Sequence, residues 1–346
     1  MTAPSAIIGV AQALLKDLPS IKVVLVNPSK KAFFNIAASR IFADSNAFKP
    51  DQYFLSIEDS FKKYDSSAFE LIECRVGAVD AAGKAVTIED TTASALGRES
   101  AVVPFKPPNT GDMELMVQKA QEDIADAQTI LIAGGGPVGV EFAGELWEAF
   151  QGRTGGKITL VSQSSRLLPM LKESACRTAQ DLLQKNNISD NSTKKWSAVL
   201  DDGHEIICDM FISTTGVLPN NSFIPTEYLT EDAWVKVDAE FRVIGGTGDP
   251  DRYIYAIGDI TAHADRLASK IPKQIPVVTS NIKADVVGHG ARAKYKTKGS
   301  LMMMVPIGGS GGTGQLFSWV PWSWFVRKMK GKDYFISQAT RLMGVK

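Results

Sequence analysis

Two rhythms of apolar positions run along the chain. Over residues 7–18 the apolar side chains fall on one face of a helix. Over 21–26 (IKVVLV) they run together and stop at Asn27-Pro28, which predicts a buried parallel strand followed by a loop. Residues 68–76 and 85–88 read as strands of a meander, and 111–127 as an amphipathic helix rich in Gln, Glu and Asp. A strand over 129–133, a helix and a strand over 157–161 form a βαβ unit, followed by a helix over 171–185. Runs 196–200 and 205–208 flank Asp202-Gly203, a strong hairpin signal. Strands over 210–213 and 253–257 lead into Thr214-Thr215-Gly216 and Gly258-Asp259. Strand and helix signals alternate, so the fold class is α/β with a parallel sheet. From 299 onward the chain is rich in Gly, Met and Trp and stands apart in composition.

Composition narrows the function. The 346 residues suit two or three domains, and 44% hydrophobic with 22% charged residues is ordinary globular usage. Lys plus Arg and Asp plus Glu both number 38, so no broad basic field exists to gather nucleic acid. Three cysteines form no C-x-x-C pair and three histidines no H-x-x-x-H, so neither a redox dithiol nor a metal site is expected. The first residues show neither a basic leader with a cleavage site nor a Met-Gly start, and no apolar run reaches the ~20 residues that span a bilayer. A cytoplasmic place is expected, with a peripheral membrane or mitochondrial one left open.

The segment ILIAGGGPVGVEFAGEL carries the chemistry. Gly134, Gly136 and Gly139 give G-x-G-x-x-G between a strand and a helix, with the next strand in place. The first glycine allows the tight turn. The second lets the backbone approach a pyrophosphate, and the third lets helix and strand pack closely. The helix N-terminus offers free N–H groups to phosphate. No Asp or Glu occurs between Ala149 and Lys172, so the acid that reads a ribose 2′-hydroxyl is absent. Ser162 and Arg166 stand there instead and tolerate a 2′-phosphate, which favours NADPH or dual use with NADH; Arg166 as a plain solvated residue is the alternative. Glu141 either sits in the first helical turn to meet the dipole or lies near a nicotinamide and orients it.

Taken together, GGGPVGVEFAGEL, STTGVLPN and YIYAIGDI resemble the flavoprotein reductases with two dinucleotide-binding domains. FFNIAASR and GQLFSWVPWSWFVRKMKGKD resemble the apoptosis-inducing factor 2, or ferroptosis suppressor protein-like, branch and its fungal members. The resemblance implies two Rossmann-like domains of the glutathione-reductase type plus a small C-terminal domain. It implies FAD-binding pieces at 1–110 and 220–298, an NAD(P)H-binding domain at 111–219 and a C-terminal domain at 299–346. It implies hydride transfer from nicotinamide to FAD and onward electron transfer to a small, quinone-like acceptor. Gly258 and Asp259 correspond to a flavin contact, Asp259 accepting from a ribityl hydroxyl or serving as a helix N-cap. Arg40 matches an arginine near the flavin or is a surface ion-pair partner. Thr214, Thr215 and Gly216 close the nicotinamide-domain crossover or form a plain turn.

Three features of that family are missing from the sequence. No N-terminal strand with its own glycine fingerprint precedes the first helix, Gly9 being the sole glycine there. No apolar strand of useful length falls between 88 and 105, and none between 185 and the hairpin at 196. The FAD domain therefore reads as truncated, and the flavin pyrophosphate is expected to lose its helix terminus. Alternatives follow: a flavin-less nucleotide-binding protein with a regulatory role, or a shortened form of the enzyme. In 316–332 aromatics precede Arg327, Lys328, Lys330 and Lys332, a composition suited to peripheral membrane contact or to packing against the flavin domain or the second subunit of a homodimer. Met302, Met303 and Met304 read as core fillers.

Overall fold

The computed structural model describes residues 3–89, 103, 105, 113–152, 155–184, 196–200, 203, 205–216, 219–245, 250–263, 266–297, 301–309 and 311–344. Helix α1 (Ala3–Asp17) leads. Its apolar residues face two ways. Ile8, Ala11 and Leu15 enter the main core, while Ala6, Val10 and Leu14 enter a second core with Phe241, Ile257, Ile271 and Val278. A helix apolar on two faces must lie between layers. There follow β1 (Val23–Asn27), β2 (Lys31–Phe33), α2 (Ala38–Ala43), α3 (Pro50–Tyr53), β3 (Phe54–Ser56), β4 (Phe69–Glu73), β5 (Arg75–Asp80) and β6 (Ala85–Glu89). β1 pairs with β4 in parallel, Val23 opposite Phe69, and β2–β3 and β5–β6 are antiparallel pairs.

Two expectations change here. The 21–26 run is a strand but not a buried one: Val24 is 48% exposed, and among the described residues β1 has a single partner, β4. A parallel strand is buried only when both neighbours and both covering layers are present. The 68–76 run is also not one strand of a meander. It breaks at Cys74 into β4, which joins the parallel pair, and β5, which turns into the β5–β6 hairpin. The stretches 90–102 and 185–195, where two family strands were sought, lie outside the described residues, as do 111–112 at the head of the next helix.

The best-formed unit comes next. It comprises α4 (Met113–Asp126), β7 (Thr129–Ala133), α5 (Pro137–Ala149), β8 (Lys157–Val161), α6 (Glu173–Gln184), the antiparallel pair β9 (Trp196–Val199) and β10 (Glu205–Cys208), and β11 (Met210–Ser213). β7 is central and parallel to both neighbours in the order β11-β7-β8, with Ile130 opposite Met210 and Ile158. Residues 129–132 of β7 are buried, as the near-continuous apolar run requires. Asp209 fixes the start of the strand: its Oδ2 accepts from the Thr129 amide and hydroxyl, both at 2.8 Å. The hairpin turn residues 201–202 lie outside the described residues, and Gly203 takes the left-handed φ of +85° that such a turn asks of glycine.

β12 (Arg242–Ile244) and β13 (Pro250–Tyr255) pair antiparallel, and α7 (Ile271–Val287) then packs along α1 and ends at Gly288, φ +81°. The irregular chain after it is stapled back. Asn281 exchanges hydrogen bonds with Ala293, and Asp285 accepts from the Tyr255 hydroxyl and pairs with Arg292. Burial first, then the Asp285 partner, push the Tyr255 phenol up to about 12. The folded state thus favours the protonated phenol. Its contribution is whole below pH 10, the ordinary phenol value, and is lost as pH rises through about 12. Urea midpoints measured across that window should fall for the parent protein and fall less for Tyr255→Phe.

The C-terminal part consists of the hairpin β14 (Met302–Pro306) and β15 (Gly312–Leu316), helix α8 (Ser323–Val326), a π-helical turn at Arg327–Gly331 and α9 (Ala339–Leu342). Val305, Ile307, Val326 and Tyr334 are fully buried, and Val305, Ile307 and Tyr334 join the main core. Of the three methionines read as core fillers, Met303 packs half-buried against the main core, Met304 is half-buried and Met302 is exposed, β14 having among the described residues one partner, β15. Trp319, Trp322 and Trp324 contact one another at the surface of the single chain. Among the described residues no helix is long and apolar enough to cross a membrane.

Candidate nucleotide and flavin site

The glycine corner lies at the C-terminal end of β7. Gly134 has φ +126°, open to glycine alone. A Cβ on Gly139 would overlap the Gly134 carbonyl oxygen, and one on Gly135 would overlap the Ser162 hydroxyl. These two positions hold helix, strand and the β8 loop in contact. Gly136 differs. It is the N-cap of α5, and a Cβ built there meets nothing within 4 Å. The space before the helix N-terminus is therefore open, where free N–H groups await an anion. Thr214 closes the floor, its hydroxyl donating to Ala133 and Gly134 carbonyls at 2.9 and 3.1 Å. Gly216, φ +63°, faces open space beside Thr215, whose hydroxyl bonds Ser213.

The ribose-reading end is polar. The Ser162 hydroxyl accepts the Ser164 amide at 3.2 Å, and exposed Arg166 donates one N–H to the Pro169 carbonyl at 3.1 Å. Four further guanidinium N–H groups of this side chain are not committed by that bond.

Deeper along α5 lies a charged network that the sequence only half disclosed. Because α5 starts at Pro137, Glu141 is its fifth residue and not in its first turn, so the dipole reading does not apply. Glu141 is buried and paired with Lys330 of the π-helical turn, whose ammonium also reaches the Met304 carbonyl at 3.1 Å. Burial raises the Glu141 carboxyl, against the pull of Lys330. Glu145, one turn on, takes a bidentate bond from Arg40 of α2 (2.7 and 3.0 Å) and the Tyr334 hydroxyl at 2.8 Å. Burial works against the Arg40 charge, and the Glu145 bonds more than restore it, so the guanidinium titrates above its ordinary value. Burial and the two glutamates hold the Tyr334 phenol well above its ordinary range. The Arg40 guanidinium lies 4.8 Å from the Tyr334 ring centroid. Arg40 is thus half-buried, paired with the buried carboxylate of Glu145 and facing the cleft beside it. Beside the network, α5, the loop after α2 and the C-terminal segment border an open cleft of about 740 Å³.

Glu145, Tyr334 and Gly135 were not singled out as site residues, and Lys330 was read only as a cation of the tail, yet a signal existed. Glu141 and Glu145 stand four apart on the buried part of a helix whose one other charged residue is Glu148, and Lys330 and Tyr334 stand four apart in the tail. Two acids on one buried helix face demand partners.

At the other corner, Gly258 has φ +87°, donates its amide to buried Gln274 at 3.1 Å and accepts the Thr261 hydroxyl at 2.9 Å. A Cβ there would find only Ile271 at 3.4 Å and Ala6 at 3.9 Å. Ala6, in the first turn of α1, therefore lies beside the Gly258-Asp259 corner. Asp259 is half-buried and its carboxylate can accept from a ribityl hydroxyl, while the Gly258 amide is already given to Gln274, so N–H groups for a flavin pyrophosphate would come from the first turn of α1. What this corner lacks, among the described residues, is a second strand beside β1.

Comparison with known proteins agrees with the geometry. A family profile described as pyridine nucleotide-disulphide oxidoreductase matches residues 8–281. The chain is 28% identical to oxidoreductase phnG of Penicillium herquei over 368 residues (92% of this chain, 87% of that protein). It is 30% identical to oxidoreductase ptaL of Pestalotiopsis fici over 316 residues (85% and 82%) and 26% identical to ferroptosis suppressor protein 1 of Taeniopygia guttata over 369 (97% and 93%). Among solved structures, the sulfide:quinone oxidoreductase of Aquifex aeolicus superposes with a TM-score of 0.68 at 14% identity, covering 98% of this chain and 90% of that one, a likeness of fold. With the glycine corner open and the matched region spanning both corners, the chain belongs to the pyridine nucleotide-disulphide oxidoreductase family and is of the FAD-dependent, NAD(P)H-oxidising class.

Proposed function

We propose that the protein oxidises NADPH, or NADH, at the Gly134–Gly139 corner and delivers two electrons through FAD to a small quinone-like acceptor. The observation that carries this reading is the open face of Gly136 between the locked glycines Gly134 and Gly139. Backbone N–H groups of α5 bind the dinucleotide pyrophosphate there, and Thr215 and Gly216 border the path toward the nicotinamide. Bound FAD supplies a carrier that takes a hydride and returns electrons to the acceptor. Gly258, Asp259 and the first turn of α1 hold it, Asp259 accepting from a ribityl hydroxyl. Glu141 orients the nicotinamide end, and Lys330 keeps its charge in place. The net change is balanced: NAD(P)H gives up two electrons and one proton, and a quinone takes those electrons with two protons, one from solvent.

The acceptor is tested by steady-state turnover with NADPH and a water-soluble short-chain quinone, set against dioxygen and a one-electron dye. Quinone-dependent turnover well above the dioxygen rate is expected, and turnover with the dye alone rejects the quinone assignment. Coenzyme preference has its own test. Without an acid at the end of β8, Arg166→Ala should lower kcat/KM for NADPH roughly tenfold, the worth of one cation–phosphate contact of about 1.4 kcal/mol, and leave NADH unchanged. Equal effects on both coenzymes would remove Arg166 from the 2′-phosphate site.

A further inference from the structure

We propose that the surface around α8 and the π-helical turn is a docking face for an anionic lipid bilayer. This goes beyond the redox reading and does not depend on it. Three tryptophans and a phenylalanine lie in solvent: Trp322 is 63% exposed, Trp324 60%, Phe317 58% and Trp319 41%. They are not loose. Trp322 stacks on Trp324 (ring centroids 6.2 Å, 8° between planes) and meets Trp319 edge-on at 5.5 Å. Phe317 is held out at φ +58°, a left-handed conformation that a bulky residue rarely adopts. The inner side of the same segment is anchored, with Val326 fully buried and the Ser323 hydroxyl accepting the Gly312 amide at 2.9 Å.

Next to the rings stand Arg327, Lys328 and Lys332, all exposed, whose side chains form no ion pair among the described residues. Together with Trp324 they line the mouth of the 740 Å³ cleft, which Asp44 and Glu148 also border, Glu148 accepting the Gly309 amide. Composition selects the occupant. Protein–protein interfaces enrich Trp but deplete Lys, whereas the headgroup layer of a bilayer takes both: indoles at the acyl boundary, ammonium and guanidinium groups at the phosphates. Charge complementarity commits the face to anionic lipid, with a headgroup phosphate entering the cleft mouth between the cations. The π-helical turn points Lys328 outward and Lys330 inward to Glu141, so docking occurs directly over the buried charged network.

The test is co-sedimentation of the full chain with vesicles of phosphatidylcholine alone and of phosphatidylcholine containing phosphatidylserine, at low and high salt. Binding to the anionic vesicles, weakened by salt, is expected. Arg327→Gln with Lys328→Gln should lower the partition coefficient roughly 25-fold, at about fivefold per cation removed near an anionic surface. Trp322→Ser with Trp324→Ser should lower binding to the same vesicles at every salt concentration. Unchanged circular dichroism would show that each variant is folded. The proposal is overturned if the parent ignores anionic vesicles, if neutral vesicles bind it equally, or if the tryptophan variant only converts a dimer to a monomer on gel filtration, which would make this face a contact between two copies.

Discussion

Gly136→Val should fold as the parent does and lose its coenzyme. A side chain at this position enters empty space in the free protein, so no packing term changes. The same side chain occupies the place where a pyrophosphate approaches the N-terminus of α5. Losing two hydrogen bonds to a charged phosphate, about 1.5 kcal/mol each, weakens NAD(P)H binding roughly 100-fold. Gly139→Ala is the contrasting case. Its methyl group overlaps the Gly134 carbonyl, which is backbone, and the Thr214 hydroxyl. The carbonyl cannot yield, so the fold itself suffers, by about 3 kcal/mol, and a lowered urea midpoint is the expected outcome. Calorimetric titration and a urea melt separate the two: one variant keeps its midpoint and loses heat of binding, and the other has a lower midpoint. If Gly136→Val bound the coenzyme normally, the pyrophosphate could not lie at this helix terminus.

Arg40→Leu should be the most damaging substitution outside the glycine corner. It leaves the Glu145 carboxylate buried, with the Tyr334 hydroxyl still donating to it. Removing one member of a buried pair costs about 3–5 kcal/mol, because the stranded charge cannot reach water. Arg40→Leu combined with Glu145→Leu removes both charges, and most of the loss should return, since an apolar pair of similar size suits a core lined by Phe142 and Leu146. Urea midpoints of the two single variants and the double variant measure this coupling. Additive losses would mean that the pair is exposed to water in solution.

The nicotinamide half of the fold was legible because it is built from local signals. The apolar run of β7, three glycines and Pro137 fix a strand, a turn and a helix within twenty-one residues of sequence, and β7 and β8 fall where the periodicity puts them. The flavin half was less legible. Whether β1 is buried depends on a neighbouring strand, not on β1, so IKVVLV looks like an interior strand and is half-exposed. The approach of α1 to Gly258 joins residues some 250 positions apart, and only tertiary packing brings Ala6 there. The Arg40–Glu145–Tyr334 network joins three separate segments in the same way. Its presence was implied by paired acids on one helix face, but its partners were not.

The tail shows the opposite limit. Its tryptophans are apolar, and apolar residues are most often interior, which argued for packing. Exposure of large rings is decided by whether enough neighbouring surface exists to cover them. Here α8 has one covered side, marked by Val326, and one uncovered side, marked by Trp322 and Trp324.

One measurement bears most directly on the central claim that this chain takes hydride at the Gly134–Gly139 corner and passes it to a flavin. Purified protein, reconstituted with FAD and freed of dioxygen, is titrated with NADPH while its visible absorbance is followed. The account predicts a yellow protein whose colour is bleached by one equivalent of coenzyme, and a Gly136→Val form that stays yellow under the same addition. A protein that takes up no flavin yet binds NADPH, or one that is bleached equally with Val at position 136, contradicts it.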